Sequence, residues 1–106
     1  MAKYLFRANY TLDGLRGLRR EGGTPRKAVI ERSVGGLGGT VECMYWAFGD
    51  TDVFVVADLP SNTSAAAFVG TVTAAGGATV TTTVLLTAEE IDAAVGTSVD
   101  YRAPGA

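Results

Sequence analysis

The chain of 106 residues contains no histidine and only one cysteine. Without imidazole there is no side chain whose ordinary titration falls near neutrality, so Ser-His, Cys-His and His-zinc mechanisms are excluded. Cys43 by itself makes neither an internal disulfide nor a thiolate metal site, and with no cation near it in sequence it reads as a packed strand residue. No metal and no cofactor is therefore expected. Long apolar runs are missing too: nothing approaches the roughly 18 residues of a spanning helix. Met1 to Arg7 has neither an apolar leader core nor a small-residue cleavage site, so a cytoplasmic protein with no membrane contact is expected. Charged residues are modest at 19% against 47% hydrophobic, a balance that supports a packed core rather than disorder, and the length suits one domain over residues 1–106.

The net charge of −2 hides an uneven distribution. Residues 1–36 hold eight cations and three anions, whereas residues 37–106 hold one cation and eight anions. Such asymmetry fits an anion-binding face, oppositely charged surfaces on neighbouring subunits, or two solvated faces that neutralise each other. An acidic whole without basic and aromatic interleaving argues against nucleic acid.

Periodicity supplies the elements. Lys3 to Tyr10 alternates with period two, Tyr4, Phe6, Ala8 and Tyr10 on one side and Lys3, Leu5, Arg7 and Asn9 on the other, which predicts a first strand. Thr11-Leu12-Asp13-Gly14 reads as a turn, followed by a short amphipathic helical turn carrying Leu15 and Leu18 and ending at Gly22-Gly23. Thr24 as N-cap and Pro25 in the first turn open a helix with the apolar stripe Ile30, Val34, Leu37, stopped by Gly38-Gly39. Thr40 to Phe48 predicts a second strand whose alternating sets, Val41-Cys43-Tyr45-Ala47 and Glu42-Met44-Trp46-Phe48, are both mostly apolar. A turn at Gly49-Asp50-Thr51 leads into a third strand with the unbroken run Val53 to Ala57. Pro60 and Ser61 open an Ala-rich helix with Phe68 and Val72, and Gly76-Gly77 close it. Thr79 to Leu86 alternates as a fourth strand, and Thr87 with Glu90 forms a capping box for a last helix running to about Gly96. From about residue 97 the tail reads as irregular.

The order is that of an α+β, ferredoxin-like βαββαβ domain: a four-stranded antiparallel sheet with helices on one face, plus an extra C-terminal helix. Strands two and three are apolar on both faces, so the face without helices needs a cover. Leaving it wet would forfeit several kcal/mol at about 25 cal/mol per Å² of apolar surface. A second copy packing sheet to sheet, as a homodimer or higher oligomer, is the expected cover, and the C-terminal helix and tail folding across that face is the alternative.

The segment Tyr45-Trp46-Ala47-Phe48-Gly49-Asp50-Thr51-Asp52-Val53 resembles the stretch for which GYD-domain proteins are named. The resemblance extends through Tyr10-Thr11 with Gly14, Glu21-Gly22-Gly23-Thr24 with Arg26, Gly38-Gly39, Ala65-Ala66-Ala67, Thr83-Val84-Leu85-Leu86-Thr87 with Glu89-Glu90, and Tyr101-Arg102 with Pro104. Thr51 stands where the family usually has a tyrosine before the aspartate, so a role needing that phenol does not carry over. The resemblance implies a small bacterial ferredoxin-like protein related to dimeric α/β barrels, with no established activity.

For a site, Arg7 and Asn9 share one face of a central strand, and Asp52 and Asp58 bracket the run beside it. If a partner sheet leaves a cavity there, Arg7 and Asn9 suit a carboxylate or enolate, Tyr45 or Trp46 would stack on a ring, and Asp52 completes the set. The competing reading is an ion pair that ties sheets together. Gly22-Gly23-Thr24 with Arg26 and Lys27 is compatible with phosphate at a helix start, though no P-loop or dinucleotide fingerprint surrounds it. Two functions remain: a small-molecule-binding or regulatory module, and a cofactor-independent oxygenase, cyclase or isomerase acting on a hydrophobic carbonyl or aromatic substrate. The second rests on the fold of related barrels. No catalytic residue is assigned.

Overall fold

Strand β1, Ala2–Tyr10, follows the predicted alternation, with Tyr4 and Phe6 almost wholly buried and Arg7 and Asn9 exposed in the computed structural model, which describes residues 1–106. The next segment departs from the expected turn. Thr11 is the N-cap of a ten-residue helix α1, Leu12–Glu21, its hydroxyl accepting the Gly14 N–H at 3.1 Å. The cap satisfies an amide that has no partner inside the helix, so the chain turns and winds at once. Helix α2, Gly23–Gly36, begins after a single intervening residue, Gly22. Gly22, at φ 84°, is its cap in place of the predicted Thr24, because only a residue free to take that left-handed conformation reverses the chain with no loop. Pro25 still falls in the first turn, where its missing N–H costs nothing. The helix ends as expected at the glycine pair: Gly38 takes φ 84°, its N–H bonds Gly35 O at 3.0 Å, and Gly39 N–H reaches Val34 O at 3.0 Å.

Strand β2, Thr40–Trp46, stops two residues short of Phe48, which is fully exposed in the turn. Its pairing with β3, Val53–Leu59, slips between Val41 and Cys43. This bulge at Glu42 regroups the two predicted sets. Val41, Met44 and Trp46 lie opposite Ala57, Val55 and Val53, which face the helices, while Cys43 and Tyr45 lie opposite Val56 and Phe54 on the other side. Helix α3, Asn62–Ala74, is capped by the Ser61 hydroxyl and sends Phe68 edge-on to Phe6, with ring centroids 5.2 Å apart. Strand β4, Ala78–Leu85, and helix α4, Ala88–Val95, complete the order, the latter with the predicted capping box between Thr87 and Glu90.

The sheet runs β2-β3-β1-β4, with all three neighbouring pairs antiparallel, and is the expected α+β ferredoxin-like arrangement. Its core lies between one sheet face and helices α2 and α3, built on Tyr4, Phe6, Val34, Leu59 and Phe68. The opposite face carries no helix. Neither α4 nor the tail crosses it: from Leu86 to Ala106 every residue is exposed. The radius of gyration, 16.9 Å, exceeds the roughly 13 Å of a compact chain of this length because that segment projects from the body. No helix is long and apolar enough to cross a membrane.

Candidate functional site

The register assembles the helix-free face in rows, since successive residues point to opposite sides of a strand. One row crosses all four strands as Tyr45, Phe54, Arg7 and Thr81. The next along is Cys43, Val56, Leu5 and Thr83. An aromatic and aliphatic patch thus surrounds one central guanidinium.

Arg7 is exposed and makes no ion pair. The carboxylates on its face are already engaged elsewhere: Lys3 Nζ lies 3.1 Å from both Glu42 Oε1 and Asp58 Oδ1. Those two partners, Asp58 first, hold the Lys3 ammonium above its usual range, against a smaller opposing effect of desolvation. The bulge explains the triad, because it turns Glu42 out of the helix-facing set.

The predicted site residues do not all meet. Arg7, Asn9 and Tyr45 share the open face, with Tyr45 68% exposed and one strand removed from Arg7 across Phe54. Trp46 points the other way, toward the helices, where its indole N–H donates to the Tyr10 hydroxyl at 2.9 Å and its ring lies under the start of α2 at Gly23. It cannot stack on a ligand at the open face. Asp52 is committed to the backbone: its carboxylate accepts the Tyr10 N–H at 2.9 Å, and its own N–H reaches Ala8 O and Asn9 Oδ1, each at 3.0 Å. Asn9 and Asp52 therefore brace the β2–β3 turn against the end of β1, which leaves the Asn9 amide nitrogen for other partners. Sequence reasoning missed Phe54 and Thr81, whose place beside Arg7 follows only from the register.

The helical side has its own concavities. A cleft of about 380 Å³ opens between α1, α2 and α3, and an apolar gap of about 70 Å³ beneath it shares Tyr10, Arg26, Ile30 and Val72. Arg26 there is neutralised by Glu21 at 2.7 Å, and partial burial raises the Tyr10 hydroxyl above its usual range despite the bond from Trp46. The Gly22-Gly23 helix start is occupied on one side by the Trp46 ring. No three side chains of the His, Cys, Asp or Glu type converge on a point.

No curated protein and no solved structure matches the chain. The GYD domain model does, over residues 4–95, a span that takes in the sheet from Tyr4 on, all four helices and the Phe48–Asp52 turn. The chain belongs to the GYD domain family.

Proposed function

We propose that this GYD-family protein is an oligomeric small-molecule-binding module, in which two open sheet faces meet and enclose a ligand bearing an anionic group and an apolar or aromatic body. The observation that carries the reading is the unpaired Arg7 at the centre of the row Tyr45, Phe54, Arg7, Thr81. Covering that face removes Leu5, Phe54 and Val56 from water, which favours association. It also buries a guanidinium, and an uncompensated buried charge costs several kcal/mol. Glu42 and Asp58 are held by Lys3 and Asp52 by the backbone, so no carboxylate of the same face is free to compensate it. A planar carboxylate or enolate from a ligand fits the guanidinium fork, with Phe54 and Tyr45 beside it for the ligand's body.

Binding is favoured over catalysis for a specific reason: the carboxylate of Asp52, the acid nearest this region, accepts the Tyr10 backbone N–H rather than standing free for proton transfer. The enzyme reading needs a free base, and none accompanies Arg7.

The test compares the wild type with Arg7→Ala and Arg7→Lys for binding of a simple aromatic carboxylate, benzoate, by chemical-shift titration. Shifts centred on Arg7, Phe54 and Tyr45 in the wild type, weakened at least tenfold by Arg7→Ala and only partly restored by lysine, are expected. Equal binding by all three proteins, or shifts confined to the helical cleft, would refute it.

A further inference from the structure

Helix α4 and the irregular tail after β4 are exposed along their whole length. Helix α4 has a complete capping box, Thr87 N–H donating to Glu90 Oε1 at 3.0 Å and Glu90 N–H to the Thr87 hydroxyl at 3.2 Å. Eight residues are nevertheless too few for a helix to persist in water without a surface to pack on. The segment is apolar enough to want one: Ile91, Val95, Val99 and Tyr101 are 46%, 81%, 79% and 75% exposed.

Charge indicates where that surface lies. Residues 86–106 carry four carboxylates against Arg102, a net −3, while residues 12–36, which span α1 and α2, carry six cations and three anions, a net +3. Topology then separates the two within one chain. β4 carries the backbone from Ala78, paired with Tyr10, to Leu85, paired with Lys3, whereas Thr11 at the head of α1 is tied to Gly76 and Gly77 at the start of β4. The arm thus leaves from the end of the sheet remote from α1, along a molecule 58 Å long and 33 Å by 22 Å across. Two antiparallel copies bring each acidic arm to the basic α1–α2 pair of the other, a reciprocal contact of the kind two-fold symmetry generates.

The receiving surface is present. A cleft of about 310 Å³ between α1 and the β2–β3 turn is lined by Leu15, Leu18, Trp46 and the fully exposed Phe48, and Arg16, Arg19 and Arg20 lie on the same helix. We propose that the C-terminal arm of one chain docks its apolar residues into the α1 cleft of a second copy, steered by the opposite charges of the arm and of the α1–α2 pair. This contact is separate from the sheet-face interface proposed above and rests on that reading only in requiring that copies associate.

The experiment mixes full-length chains in a Cys43→Ser background: one unlabelled and bearing a nitroxide at Ser98→Cys, the other ¹⁵N-labelled with its native arm. Expected is broadening of the Trp46 indole and the Leu15 to Arg20 amides of the ¹⁵N chain. It should be abolished when Ile91→Asp and Val95→Asp are added to the nitroxide chain, with dimer affinity falling at least tenfold. No intermolecular broadening, broadening confined to Tyr45 and Phe54, or broadening that survives both substitutions would overturn the proposal. Failure of the sheet-face reading looks different: Tyr45→Arg would then leave both the dimer and the α1 broadening intact.

Discussion

Replacing Gly14 by alanine should damage the fold far more than the same change at Gly17, one turn along α1. A Cβ on Gly14 would lie 2.7 Å from the Gly77 carbonyl carbon, nearer still to its oxygen, and 3.0 Å from Gly77 Cα. These are backbone atoms that no rotamer change can clear. The same carbonyl accepts the Thr11 N–H at 3.0 Å, so relieving the clash pulls on the bond that anchors the head of α1 to β4. Forced overpacking costs about 1–3 kcal/mol and the lost hydrogen bond about 1, against a gain of about 0.5–1 from replacing a helical glycine. The net is a loss of up to about 3 kcal/mol, which lowers the melting temperature by as much as roughly 15 °C in a domain of this size. At Gly17 the nearest atom to a new Cβ is the Arg20 guanidinium at 4.0 Å, so only the propensity gain of about 0.5–1 kcal/mol remains. Thermal and urea unfolding of both variants reads the difference. Equal melting temperatures for Gly14→Ala and Gly17→Ala would refute the close crossing of α1 and the α3–β4 turn.

Tyr10→Phe strands the Trp46 indole N–H and should cost about 1–2 kcal/mol in urea unfolding, with a shifted tryptophan emission; unchanged stability and emission would show that the bond contributes nothing. The Tyr10 hydroxyl also titrates higher folded than unfolded, so its contribution is fully present below the unfolded tyrosine value near pH 10 and is lost as pH rises through the folded value. The wild type should therefore lose more stability than Tyr10→Phe in alkaline unfolding series, and parallel curves would contradict this. Thr87→Ala removes the N-cap of α4 and should reduce its helical carbon shifts, costing on the order of 1 kcal/mol locally, while the core melts unchanged.

The sequence made the local rules legible and the non-local ones not. Alternation along Lys3–Tyr10, the unbroken apolar run Val53 to Ala57, the Thr87–Glu90 box and the glycine pair at Gly38-Gly39 act within a few residues, and the strands, the box and the helix stop they predict all appear in the structure. The start of α1 is misread from sequence because Thr11-Leu12-Asp13-Gly14 carries turn residues that serve equally as a cap. The bulge at Glu42 leaves no mark in the hydrophobic pattern, yet it decides that Val41 joins Met44 and Trp46 against the helices. Period alone puts Arg7 and Asn9 on one face, whereas Tyr45 and Trp46 stand as alternatives until the pairing sets Tyr45 on the open face and Trp46 toward the helices. Phe54 and Thr81 required the pairing itself, and Asp52 looks free in the sequence only because its partners, the Tyr10 N–H and the Asn9 side chain, are some 40 residues away.

The most direct test of the central claim is native mass spectrometry of the purified full-length protein at micromolar concentration, run beside an Arg7→Ala variant. The predicted result is a wild-type dimer or larger assembly that retains added benzoate, and a variant that still associates but retains it at least tenfold less. A wild-type monomer, or benzoate retention indifferent to Arg7, would contradict it.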